Sequence, residues 1–175
     1  MKPLANLLIR TSAGLAWVEL ALSKLLIVGF AGLLLVNVLM RYAFSAPIYY
    51  AEELSVYILI WMSFLAIAAT IARREMIALT FVVDVLPLGP RRLIEVAVDL
   101  IVLCMVAALT WVSWRWINSM AMHFEMALTL GTAKRPFYAI IPIFFALATF
   151  HTLANVAHHL TRPLAGNDPS EERAA

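Results

Sequence analysis

Four long stretches without a single charge run through this 175-residue sequence. They lie between Lys24 and Arg41 (sixteen residues), Glu53 and Arg73 (nineteen), Asp99 and Arg115 (fifteen), and Arg135 and Arg162 (twenty-six). A helix needs about 20 apolar residues, at roughly 1.5 Å each, to cross the hydrocarbon core of a bilayer. The first and third stretches are short, but Lys24, Arg41 and Arg115 can reach outward along the helix and lengthen the usable span. Composition agrees, because 63% hydrophobic and 14% charged residues are more apolar surface than a soluble domain of this size can hide. The expectation is a single all-α integral membrane domain over residues 1–175. Its transmembrane helices are placed at 21–43, 51–73, 92–117 and 136–160.

Three further segments have their own character. Residues 3–20 carry Leu4, Leu7, Leu8, Leu15 and Val18 at three- and four-residue spacing, which predicts an amphipathic helix lying on the membrane surface. The alternative is that the first span simply extends through them. Glu19 and Lys24 interrupt the region, so a secretory signal is not expected. Residues 76–86 are too short to span and are read as an interfacial segment ending at Pro87. The polar tail 163–175 is read as mobile and cytoplasmic.

Basic residues near span ends set the expected orientation. Lys2, Arg10, Arg73, Arg74, Arg91, Arg92, Arg162 and Arg173 fall on one side of a four-span chain, and Arg41, Arg115, Lys134 and Arg135 on the other. Both termini are therefore expected in the cytoplasm, with the 41–52 loop outside. Tyr42, Tyr49, Tyr50, Trp111, Trp114 and Trp116 gather at the expected outer interface, where such rings are favoured.

The polar residues bear on function. Glu52 and Glu53 open the second span, where carboxylates favour the positive end of the helix dipole. That reading does not account for both beside Arg41, so a polar cluster or partner contact of Arg41, Glu52 and Glu53 is expected. An ion-coupling role fits less well at a helix end than at mid-membrane. Asn37 and Asp99 are read as helix-packing or partner contacts, and Glu95 as an i,i+4 partner of the arginines one turn away. His123, His151, His158 and His159 are read as surface or interfacial, because no two on different helices share a depth at which a haem could be held. Cys104 is read as a small apolar residue. No metal-spaced cluster, phosphate loop or nucleophile–base set is seen, so neither an enzyme nor a cofactor is expected.

The run "RYAFSAPIYYAEELSVYILIWMSFL" resembles the small membrane subunit of tripartite ATP-independent periplasmic (TRAP) transporters, the DctQ family. Arg41, Tyr42, Phe44, Pro47, Glu52, Glu53, Leu54, Tyr57, Trp61, Phe64 and Leu65 carry the likeness. It continues through "ARREMIALTFVVDVLP" and through "AKRPFYAIIPIFFALATFHTL", with Pro142 near the start of the last span. Met76 and Ala66 depart from the histidine and glycine frequent in the family. The resemblance implies a small permease subunit of the bacterial inner membrane that scaffolds a large membrane subunit. A periplasmic binding protein would deliver an organic acid, commonly a carboxylate, for sodium-driven uptake. It further implies structural roles for Pro47, Tyr57, Trp61 and Pro142, and no substrate or metal site in this chain. Two other readings compete: an autonomous four-span transporter, and a haem-bearing membrane anchor. The first would need a membrane-embedded glutamate in the first span, and Glu19 is placed before that span.

Overall fold

The computed structural model describes the backbone of residues 2–73 and 88–161 and the side chains of residues 5–73 and 96–158. The interfacial segment expected at 76–86, the tail at 163–175 and the side chain of Glu95 lie outside these residues. The chain runs α1 (Lys2–Ala43), α2 (Ala51–Arg73), α3 (Leu88–Ile117), α4 (Met120–Phe124), β1 (Met126–Ala127), β2 (Thr132–Ala133), α5 (Arg135–Tyr138) and α6 (Ile140–Thr161). Four helical stretches among the described residues are long and apolar enough to cross a membrane: Ala5–Ala43, Ala51–Arg73, Val96–Ile117 and Arg135–His158. The protein is an all-α membrane fold.

Local chemistry accounts for the helix ends. α1 stops where Ser45 takes a left-handed φ of 54° and the Ala46 N–H reaches back to the Met40 carbonyl at 3.0 Å. Pro47 then disfavours helix at the residue before it. α2 opens with Glu52 and Glu53 in its first turn, where the dipole favours them. Pro142 is the third residue of α6, a position whose missing N–H breaks no helical bond.

The separate surface helix expected at 3–20 is not a distinct element. α1 is unbroken for 42 residues, about 63 Å, so the extended-span alternative is the one the backbone adopts. The inward stripe also differs from the expected one. Leu7 and Val18 face outward, while Ser12, Ala16 and Glu19 are buried. In a membrane, apolar side chains gain little by leaving lipid, so small and polar residues take the helix contacts.

α6 is the hub. It packs on α3, α2 and α1, and α1 pairs most extensively with α2. Ala68, Val106, Phe144 and Ala148 form a core where α2, α3 and α6 meet, flanked by Phe64 and Ile71. Cross-helix hydrogen bonds set the register. The Ser23 hydroxyl donates to the Met62 carbonyl (3.0 Å), Thr110 and Thr149 hydroxyls meet at 3.0 Å, and the Asn155 amide donates to the Ile71 carbonyl (3.0 Å). α1 and α2 are antiparallel, α2 and α6 run the same way, and α3 runs against α6. The 44–50 and 118–139 connections therefore share one end of the bundle.

Candidate functional site

That shared end holds most of the residues singled out in the sequence. Arg41 Nη2 donates to Glu52 Oε1 at 2.7 Å, joining the end of α1 to the start of α2, with both side chains about half or more exposed (49% and 68%). Glu53 is turned elsewhere. Its Oε2 accepts from the Thr129 N–H (2.7 Å), the Thr129 hydroxyl and the Leu130 N–H (3.3 Å), all at the tip of the β1–β2 hairpin. Its Oε1 accepts from the Tyr57 hydroxyl at 3.1 Å. The two neighbouring glutamates thus hold two different structures, an exposed ion pair and a loop tip.

The hairpin is built to present that tip. Met126 pairs with Ala133 and Ala127 with Thr132. Gly131 closes the turn at φ 62°, a conformation glycine adopts without penalty, and its N–H bonds the Ala127 carbonyl at 2.8 Å. Beneath it, Tyr57 stacks on Phe137 at 4.3 Å, and Trp61 Nε1 donates to the Phe137 carbonyl at 2.7 Å. Asn37 is buried and its Oδ1 accepts the Ile48 N–H at 2.9 Å, tying the 44–50 loop down onto α1. Pro47 sits exposed in that loop, and Pro142 is buried in α6. Arg135 donates to Asn118 Oδ1 (2.6 Å) and contacts His123 Nε2 (3.2 Å), while His123 Nδ1 faces the Ser119 carbonyl (2.9 Å). Asp99 is half-buried on α3, away from this cluster.

The structure corrects two sequence expectations. His151 is neither surface nor interfacial: it is fully buried between α6 and α1. Its Nδ1 lies 2.7 Å from Ser12 Oγ and its Nε2 lies 2.9 Å from Glu19 Oε1. With both ring nitrogens engaged, it has no lone pair to offer a haem iron. Glu19, placed before the first span by sequence, lies within the continuous α1 and is only 2% exposed. The sequence ground for setting aside an autonomous transporter therefore falls. Glu19 is committed to His151 instead, and its Oε2 is buried with no hydrogen-bond partner among the described residues. Spacing held the missed signal. Ser12, Ala16, Glu19, Ser23, Leu26, Phe30, Leu33, Asn37 and Met40 recur every three or four residues along one face of α1.

Four apolar helices, joined by polar clasps and carrying their ordered polar loops at one end, define a multi-pass membrane component with no substrate chamber evident among the described residues. The family model for the DctQ component of tripartite ATP-independent periplasmic transporters matches residues 30–162, and the chain belongs to that family. It is thus a component of a transporter. It is 26% identical over 116 residues to the isethionate TRAP transporter permease protein DctMQ of Oleidesulfovibrio alaskensis. That match covers 65% of this chain and 18% of the relative, so the chain corresponds to under a fifth of that protein.

Proposed function

We propose that this chain is the scaffolding small permease subunit of a TRAP transporter in the bacterial inner membrane. It holds a large membrane subunit that carries out sodium-driven uptake of an organic acid delivered by a periplasmic binding protein. The observation that carries this reading is the family match across residues 30–162. The relative supports the partner: its name joins two components, and the part beyond the match leaves ample length for a large permease. Isethionate, in that name, is an organic acid, although a sulfonate rather than the carboxylate implied by the resemblance. Scaffolding is supported by the distribution of polar groups. Glu19, Glu53, Asn37 and His151 are spent on contacts within the chain.

The excess of basic residues on one side favours cytoplasmic termini. The loop end, with Arg41–Glu52 at its rim and Glu53 under the hairpin, then faces the periplasm, where the binding protein docks. Reconstitution tests the whole reading. Proteoliposomes holding this chain with its large subunit, binding protein and a sodium gradient are expected to take up substrate. Vesicles holding this chain alone are expected to take up none. Sodium-driven uptake by the lone chain would overturn the reading in favour of an autonomous transporter.

A further inference from the structure

The 118–139 connection is held down at two places. Glu53 grips its hairpin tip, accepting from the Thr129 and Leu130 N–H groups and the Thr129 hydroxyl. The second clasp closes α4 against the start of α5. Arg135 Nη1 donates to His123 Nε2 at 3.2 Å, and His123 Nδ1 lies 2.9 Å from the Ser119 carbonyl. A guanidinium has only donors to offer and keeps its charge in proteins. His123 Nε2 must therefore accept, and the carbonyl facing Nδ1 requires a proton there. Together the two contacts select one form of the ring, neutral with its proton on Nδ1.

A second proton turns Nε2 into a donor aimed at a donor and sets a positive ring against a positive guanidinium. The Ser119 contact survives this change and the Arg135 contact does not. Arg135 keeps Asn118 Oδ1 at 2.6 Å and so stays on the end of α3. What is released is the His123 end of α4, while buried Met122 keeps that helix seated. The other charged and titratable groups at this end are engaged elsewhere or carry the same sign. Glu125 and Lys134, at the base of the hairpin, pair with each other at 3.5 Å. Glu53 of α2 is committed to the tip, and Tyr138 of α5 meets the rings of Tyr57 and Trp116. Arg115, three residues before Asn118, has the sign of Arg135.

We propose that His123 and Arg135 form an acid-opened clasp on the loop end, closed while the imidazole is neutral and open once it is charged. Imidazoles titrate over about pH 5 to 8, so the clasp is closed at the upper end of that range and opens as the pH falls. The hairpin tip, held between a carboxylate and backbone and hydroxyl donors, has no group that titrates over most of it. Acid thus loosens one side of the connection and leaves the other in place. Under the orientation proposed above, this is the surface where the binding protein docks. That consequence rests on the small-subunit reading, whereas the clasp itself does not.

Nitroxide labels on the purified chain in detergent read the clasp directly. With Cys104→Ala, a label on Phe124→Cys reports α4 and a label on Leu128→Cys reports the hairpin tip. Both positions are exposed, so neither label displaces a core side chain. From about pH 8 to about pH 5, the mobile fraction at Phe124→Cys is expected to rise at least about fivefold, and that at Leu128→Cys to stay constant. His123→Gln puts a carbonyl oxygen that takes up no proton where Nε2 stood, and is expected to hold the Phe124→Cys label immobile at both pH values. His123→Phe offers Arg135 no acceptor and is expected to leave the label mobile at both. A Phe124→Cys signal that does not change with pH, or the same acid rise in His123→Gln, would overturn the proposal. Equal acid rises at Phe124→Cys and Leu128→Cys would assign the change to general loosening of the loop end and overturn it too. None of these outcomes involves a partner, so the small-subunit reading stands or falls separately.

Discussion

Burying a carboxylate and an imidazole between two apolar helices is costly unless each satisfies the other. Ser12, Glu19 and His151 meet that condition at the two ring nitrogens and at Glu19 Oε1, with contacts of 2.7 and 2.9 Å, while Glu19 Oε2 has no hydrogen-bond partner among the described residues. Removing one member leaves the other buried without its partner, which costs roughly 3–5 kcal/mol in known cases, whereas apolar replacement of both is often neutral. Glu19→Leu and His151→Leu are therefore each expected to lower the unfolding temperature in detergent sharply. The double variant is expected to recover most of the loss. Additive losses in the double variant would show that the two side chains act independently. Neither residue was picked out as a site by sequence reasoning, because each looks like a terminal or interfacial polar residue until α1 and α6 are placed side by side. Glu53 shows the same limit: its type and position pointed to a polar contact, but its partner Thr129 is 76 residues away.

At the scale of elements, each of the four apolar stretches falls on one of the four helical stretches long and apolar enough to cross a membrane. The second span was expected at 51–73, and α2 occupies Ala51–Arg73. Hydropathy sufficed there because crossing a bilayer demands length and apolarity and little else. It failed at the start of α1 because Glu19 and Lys24 look like boundary charges when each is read alone. Burial of Glu19 removes its charge from the lipid-facing surface, so the helix runs on. Labels at Asn6 and Leu39, thirty-three residues apart, are expected about 50 Å from each other in reconstituted protein by pulsed electron resonance. A right-angled bend at residue 20 would shorten that distance to about 35 Å. The shorter value would restore the separate surface helix.

For the whole molecule, the register of the bundle gathers the 44–50 and 118–139 connections at one end, with Asn6 beyond the other. With Cys104 replaced by alanine, single cysteines at Ser45 and Leu128 are expected to react with an impermeant maleimide from the same side of the membrane. A cysteine at Asn6 is expected to react only from the opposite side. Labelling of Ser45 and Leu128 from opposite sides would contradict the arrangement of the helices. Labelling of Ser45 and Leu128 from the cytoplasm would keep the fold and reverse the proposed orientation.

Sequence by itself determined the class of molecule, the number and rough bounds of its spans, and the family resemblance in the "RYAFSAPIYYAEEL" run. Each of these is local, because the bilayer tests every segment separately for length and apolarity. Tertiary structure alone decided which face of α1 turns inward, that Glu19 and Ser12 meet His151, that Glu53 holds a hairpin tip, and that Ser23 meets Met62. These depend on the relative register of helices far apart in the chain, and many small packing and hydrogen-bonding terms set that register together.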